Sequence, residues 1–332
     1  MEESRVERDK NQTPKKPHKK RNIILMVIAV IVLIIAGFSA YKFASIKSAV
    51  DNSYEDSGIT KERNTDKLLA NKKPISILLM GTDTGELGRD YKGRTDSMMV
   101  ITINPQTNKT LITSIPRDTA VNIPGYADEG VAKINAAYAY GSAKTSIDTV
   151  QKMLNIPIDF YAVLNMHGLE QIVNQIGGVT VKPLLTFDYE GYHFEKGQAT
   201  HMNGAKALAY TRMRYDDPRS DYGRQERQRQ VLTVVAKNSG SVGSLLNAGF
   251  IKTLSKSTQT DMTFGDLTKI ATSYLSARNN MEDGYIQGQS GKEINDQIMQ
   301  VTPQSELQNT TNQIRNNLGL SQAETGDIAV NN

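Results

Sequence analysis

The feature that most limits how this chain can fold is an uninterrupted apolar run from Ile23 to Ala40, eighteen residues without a charged side chain. As a helix it is long enough to span a bilayer once Tyr41 and Phe43 are counted as interfacial anchors. A cleaved signal peptide would share the basic region in front, but the run exceeds a typical signal core and no clean A-x-A site follows. It therefore reads as an uncleaved anchor. Lys15, Lys16, Lys19, Lys20 and Arg21 stand immediately before it and hold that end in the cytoplasm, so everything after Lys42 lies outside the cell. The chain then divides into a basic tail (1–21), a transmembrane helix (22–43), a polar stalk (44–73), one large domain (74–320) and a polar end (321–332) that reads as disordered.

Charge supports that division. Met1 to Arg21 carries eight Lys/Arg against four Asp/Glu, which is the whole net charge of +4; the remaining 31 of each sign cancel. A basic domain built to hold nucleic acid is therefore disfavoured. There is no cysteine among the 332 residues, which excludes a disulfide framework, thiolate metal sites and cysteine nucleophiles. An exported domain of this kind is stabilised by its core alone, which its size permits and which suits the outside of a single-membrane bacterium.

From Pro74 onward, apolar runs and breakers predict an alternation. Ile75 to Met80 reads as a buried strand that delivers Gly81, Thr82 and Asp83 at its carboxyl end, where ligands of open α/β sheets gather. Ser97–Asn104 and Thr110–Ile115 read as an antiparallel hairpin closed by Pro116, Arg117 and Asp118. Lys133 opens a short helical segment ending at Gly141, and Ser146–Leu154 and Met166–Ile176 read as helices around a strand at Phe160–Leu164. Further elements are expected at Val179–Pro183, Asn203–Tyr210, a long helix to about Asn238, a helix through Leu254, Phe264–Arg278, an edge strand at Gly284–Gly288 and a final helix at Ser305–Leu318. Strands alternating with helices, plus one hairpin, predict a single α/β/α domain with a mixed central sheet covered by helices.

Within it, Ala207 to Leu232 concentrates six arginines: Arg212, Arg214, Arg219, Arg224, Arg227 and Arg229. Arg212 and Arg214, two apart in a segment read as extended, would project to one side. Beyond Gly223 a helix is expected to carry Arg224, Gln228, Val231 and Val235 on one face, polar at its start and apolar further on. Such a face lines a cleft floored by the core, where bidentate guanidiniums and a helix N-terminus suit a phosphate. Asp83, Arg94, Asp96, Arg117, Asp118, Lys133, Asp221 and Arg227 complete the polar residues at strand ends and cleft edges. Acids without Cys or clustered His favour a hard cation such as Mg²⁺ (or Mn²⁺), which brings phosphate oxygens as further ligands. No Walker A sequence is present, so ATP is not the expected donor.

The blocks ILLMGTDTG, GRTDSMMVITINPQTNKTLITSIPRDT, KINAAYAYG, NMHGLEQIVNQIGGVTV, ALAYTRMR and DYGRQERQRQVL together resemble the LytR-CpsA-Psr family over roughly Pro74 to Val235, with a pattern similar to its LytR-type members. The resemblance implies a membrane-anchored, single-pass type II phosphotransferase of a Gram-positive bacterium, with its catalytic domain outside the cell. It would move a glycopolymer, wall teichoic acid or a related anionic polysaccharide, from an undecaprenyl-pyrophosphate carrier to the muramic acid 6-hydroxyl of peptidoglycan. By position, Asp83 and Asp96 match metal-associated acids. Arg94, Arg117, Lys133, Arg212, Arg214, Arg224 and Gln228 match pyrophosphate-binding residues. Asp96, Arg117, Asp118, Arg212 and Arg214 are the expected catalytic set, with the base open among Asp96, Asp118 and Asp221. The family's polyprenyl tail lies in an apolar tunnel, which Ser146–Leu154 and Met166–Ile176 could line. Two other readings remain: a membrane-tethered regulator binding nucleic acid, which the neutral ectodomain disfavours, and a wall-polymer-binding module, which would not need paired acids.

Overall fold

In the computed structural model, residues 44–82, 93–238 and 255–330 are described. The basic tail, the membrane span at 22–43 and the helix expected through Leu254 lie outside them. Among the described residues no helix is long and apolar enough to cross a membrane. Ile46 to Asn332 forms one unit. It opens with a helix over 44–53 (α1) and α2 (Thr65–Ala70), followed by β1 (Ile75–Thr82), β2 (Thr95–Asn104), β3 (Lys109–Ile115), β4 (Ala120–Asn122) and β5 (Val131–Lys133). Next come α3 (Ala136–Leu154), β6 (Phe160–Asn165), α4 (Met166–Gln175), β7 (Val179–Val181), β8 (Phe187–Tyr189), β9 (Tyr192–Phe194), β10 (Thr200–Met202), α5 (Gly204–Arg212) and α6 (Asp221–Asn238). After residue 255 follow β11 (Thr258–Thr260), α7 (Phe264–Ser273), β12 (Met281–Tyr285), β13 (Gln289–Ile294), β14 (Gln297–Val301) and α8 (Gln304–Asn317).

The central sheet is mixed, in the order β11-β6-β1-β2-β3-β12. β1 runs parallel to β6, and β3 parallel to β12, while the β1–β2, β2–β3 and β11–β6 pairs are antiparallel. Side chains alternate across a strand, so each strand supplies two layers. Leu78, Met80, Met98, Val100, Leu111, Tyr161 and Val163 bury one face against Ile147, Val150 and Leu154 of α3 and Leu307 and Ile314 of α8. Ile75, Ile77, Ile103, Phe160 and Ala162 face Leu267, Ile270 and Tyr274 on the other side. Beside this sits a smaller lobe in which Val173, Val179, Phe187, Phe194, Tyr210, Met213 and Val231 pack together. Phe187 and Phe194 stack at 4.7 Å between ring centroids, and α6 carries side chains into both this lobe and the sheet.

The mixed sheet, the hairpin of β2 and β3 and the final helix agree with the sequence expectations, while the edge strand expected at Gly284–Gly288 is β12, three residues earlier. Several local readings do not. The segment read as extended through Arg212 is the last turn of α5; the chain becomes extended only at Met213, whose side chain is fully buried. Lys133 closes β5, and the two expected helices of the 133–154 region form α3, broken at Gly141 and Ser142. The 44–73 stalk packs as part of the domain: Ile46, Ala49, Val50 and Leu69 are buried, and Arg63 Nε donates to the buried Asp159 carboxylate at 2.9 Å. Residues 321–330, read as disordered from their polarity, run along the fold through main-chain bonds. The Gly326 N–H donates to the Met153 carbonyl (3.1 Å), Asn122 N–H to Ile328 (2.8 Å) and Val330 N–H to Ala120 (3.0 Å).

Candidate active site

β1, β3 and β6 all end on one edge of the sheet, and β2 begins there. The pairing of β1 with β2 slips at that edge: Gly81 faces Ser97 and Thr82 faces Thr95, which leaves Asp96 as an extra residue. A bulge of this kind breaks the alternation and re-aims side chains. Asp96 and Ser97, adjacent in sequence, consequently line the same cleft. Gly81 makes that possible, because a Cβ there would fall 2.3 Å from Ser97 Oγ. Asp83, the other expected metal-associated acid, lies one position beyond Thr82 and outside the described residues.

The cleft has a volume of about 200 Å³ and two characters. Asp96, Thr211, Arg212, Arg224 and Gln228 give it a polar end, while Leu79, Met99, Leu164, Met166, Leu169 and Leu232 give it apolar walls. Leu232 also borders a second cavity of about 330 Å³ along the same sheet face, lined by Ile77, Ile101, Ile103 and Ile112 with Ile270 of α7 and Tyr274 just after it. Residues 77, 79 and 81 of β1 share one face, so the two cavities, which have Leu232 in common, lie along the same side of the sheet. Of the two helices expected to line an apolar tunnel, α4 does so through Met166 and Leu169. Ile147, Val150 and Leu154 of α3 belong instead to the core on the opposite face.

Arg117 is the hub of the polar edge. It is hydrogen-bonded to Asp96 and stands 3.8 Å from Asp118 and 3.9 Å from Asp221. Lys133 Nζ pairs with Asp118 at 2.9 Å. Arg224 Nη2 lies 2.6 Å from Asp221 and donates to the Asp96 carbonyl at 3.0 Å. Burial pulls the Arg224 pKa down; Asp221 opposes that effect, and Arg117 and Arg214 reinforce it. Three mutually repelling guanidiniums around partly desolvated carboxylates form a place where an added anion is stabilised. Arg117 Nε, Arg224 Nε and Gln228 Oε1 are buried without a hydrogen-bond partner among the described residues, and a buried polar atom in that condition is costly.

The six arginines separate by partner. Arg212 lines the cleft, Arg224 lies at its head, and Arg214 is partly exposed within electrostatic range of Arg224. Arg227 is structural: it holds the buried Asp217 carboxylate at 2.5 Å, the Tyr210 carbonyl at 3.1 Å and the Met213 carbonyl. Arg229 is likewise fixed by Asp283 and by Ser114 Oγ, each at 2.9 Å, and Arg219 pairs with Glu226. Gly223 does not open the helix but is its third residue; a Cβ there would meet Asp217 Oδ2 at 1.8 Å, so its absence admits the carboxylate that anchors Arg227. Arg224, Gln228 and Leu232, at offsets of four, make the cleft face of α6, whereas Val231 turns into the smaller lobe. Arg94 is exposed just ahead of β2. Sequence reasoning missed Asn165, which lines the cleft while its side chain accepts the Gly168 N–H at 3.0 Å and caps α4; an Asn before a helical pattern is a readable signal. It also missed Tyr189, which reaches the cleft from the end of β8.

A sheet-edge cluster of arginines and acids beside apolar walls gives this α/β protein a site whose chemistry suits an amphiphile with a phosphate-rich head. The chain belongs to the LytR_cpsA_psr family, whose model matches residues 40–316. It is 41% identical over 267 residues, covering 80% of this chain and 86% of the relative, to the polyisoprenyl-teichoic acid–peptidoglycan teichoic acid transferase TagU of Enterococcus faecalis. Among solved structures it matches a Streptococcus agalactiae protein, gbs0355, at a TM-score of 0.72 with 32% identity, over 82% of this chain and 96% of that one. It also matches TagT bound to LIIa-WTA at a TM-score of 0.64 with 27% identity, over 79% and 95%.

Proposed function

We propose that this chain is a membrane-anchored glycopolymer phosphotransferase that moves a wall teichoic acid or related anionic polysaccharide from an undecaprenyl-pyrophosphate carrier to peptidoglycan. One observation carries the reading: residues that suit a pyrophosphate and residues that suit an isoprenoid line the same cleft, and a second apolar cavity that shares Leu232 lies along the same sheet face. Arg212, Arg214, Arg224 and Gln228 hold the pyrophosphate from the α5–α6 side, Arg117 and Lys133 from the β3–β5 side, and Arg94 from the approach to β2. The isoprenoid follows Leu79, Met99 and Leu232 along the sheet.

In the reaction, the oxygen of the muramic acid 6-hydroxyl bonds to the sugar-bearing phosphorus, and the bond from that phosphorus to the bridging oxygen breaks. The hydroxyl proton passes to one of the carboxylates around Arg117, namely Asp96, Asp118 or Asp221. The carrier leaves as polyprenyl monophosphate. Guanidiniums aimed at the phosphoryl oxygens stabilise the charge that develops there, the dominant contribution in phosphoryl transfer. The bulge turns the Asp96 carboxylate into the cleft, an oxygen donor that suits Mg²⁺ or Mn²⁺, and Asp83, one position beyond β1 in the sequence, is the second acid of the proposal. Held by Asp83 and Asp96, the cation would neutralise pyrophosphate charge.

The test is to incubate the full chain with a polyprenyl-pyrophosphate-linked glycan and peptidoglycan chains and to measure glycan covalently joined to peptidoglycan. Joining that depends on the enzyme and falls with EDTA and in Asp96→Asn supports the reading. Joining indifferent to both would overturn the metal-assisted form, and lipid binding without joining would favour a non-catalytic module.

A further inference from the structure

We infer that Glu190 is a counter-charge on Arg212, which a pyrophosphate must displace to occupy the site. The inference rests on the reading of the cleft as a lipid-pyrophosphate site. Glu190 and Gly191 form the two-residue turn of the β8–β9 hairpin, at φ +49° and +80°. Both central residues of such a turn want the left-handed region, where Asn or Gly is favoured and Glu is not. Turn geometry therefore gives no reason for a glutamate here. The carboxylate does: its Oε1 lies 3.2 Å from Arg212 Nη1, and the preceding residue, Tyr189, already lines the cleft with Arg212.

The pair differs from the structural arginine pairs of the same stretch. Arg227 and Arg229 are buried at 3% exposure and reinforced by carbonyl or hydroxyl acceptors, so their pairs persist. Arg212 and Glu190 keep 30% and 42% exposure and meet through the single Nη1–Oε1 contact. An exposed single-contact pair is weak, and a phosphate offers the guanidinium two oxygens and a larger charge. Exchange of partners is thus favourable once a pyrophosphate arrives. The cost is a somewhat lower affinity for the substrate, and the return is a carboxylate that reclaims Arg212 as the carrier leaves. Glu190 is a positioning residue in this scheme and touches no reacting atom.

The measurement is calorimetric titration of the full chain in detergent with geranyl pyrophosphate at fixed Mg²⁺, for the wild type, Glu190→Gln, Arg212→Gln and the double variant. Glutamine keeps the length and the turn and removes the charge. Glu190→Gln should bind about two- to fivefold tighter than wild type, the range for releasing an exposed ion pair. Arg212→Gln should bind more weakly, and adding Glu190→Gln to it should change nothing. Unchanged or weaker binding in Glu190→Gln, or equal tightening when Arg212 is absent, overturns the inference while weaker binding in Arg212→Gln leaves the site reading standing. A wild type that does not bind the probe overturns both.

Discussion

At the scale of single residues, the same side chain does opposite work a few positions apart. Arg227 closes a buried pair with Asp217, so Arg227→Met should cost about 3–5 kcal/mol by leaving a carboxylate buried without its partner. Urea denaturation of purified protein measures that loss. Arg214 is partly exposed and pairs with no carboxylate among the described contacts, so Arg214→Ala should change stability by less than about 1 kcal/mol. Transfer should nevertheless fall by roughly 10²–10³-fold, the usual loss for one donor to a developing anion. Asp217 also sets a pH response. Burial pushes its pKa up, but the hydrogen bonds from Arg227 and the Arg219 N–H outweigh burial and hold it below the ordinary 3.8. A depressed carboxylate adds stability above its unfolded pKa and loses it as pH falls through its folded value. Asp261 runs the other way: burial raises it despite Lys61, so its contribution falls as pH rises from 3.8 toward the folded value. In urea midpoints, Asp217→Asn should therefore show a shallower acid loss than wild type below about pH 4, and Asp261→Asn a steeper one between about pH 4 and the raised folded value. A matching slope in all three proteins would contradict both assignments.

Elements place these residues, and here the sequence was legible unevenly. The four inner strands β6, β1, β2 and β3 and helix α6 follow from apolar runs and periodicity, because burial on a flat or helical surface writes those periods directly, whereas the short polar edge strand β11 has no such run and is not expected from the sequence. The bulge at Asp96 has no such signature: it arises from the register of two strands, and only the pairing of Gly81 with Ser97 exposes it. The split among the arginines is equally hidden, since partners such as Asp283 and Ser114 are distant in sequence from Arg229. The stalk misled through its polarity. Two of its cations are partly buried by pairing with buried carboxylates of the domain, Arg63 with Asp159 and Lys61 with Asp261, and its Glu55 carbonyl accepts the Tyr161 hydroxyl at 2.8 Å. A chain beginning at Pro74 would leave Asp159, 1% exposed, without its cation. Its stability should fall by about 3–5 kcal/mol relative to a chain beginning at Ile46, as read from thermal or urea unfolding. Equal midpoints would return residues 46–73 to the role of a mere tether.

For the whole molecule, the tail, the apolar run and the cleft combine into one proposal, that a lipid-linked substrate is met at the membrane surface by a domain outside the cell. A reporter enzyme active only outside the cell, fused after Lys73, should be active; activity of a cytoplasm-dependent reporter at the same site would reverse the topology. The central claim is narrower and concerns which bond breaks. Attack on the sugar-bearing phosphorus releases the carrier as a monophosphate, whereas attack on the sugar carbon would release it as a pyrophosphate. Mass spectrometry of the lipid freed when the full chain joins a polyprenyl-pyrophosphate-linked glycan to peptidoglycan distinguishes the two directly. Polyprenyl monophosphate, formed in step with the joined product and lost in Arg212→Ala, is the predicted result, and polyprenyl pyrophosphate as the product would contradict it.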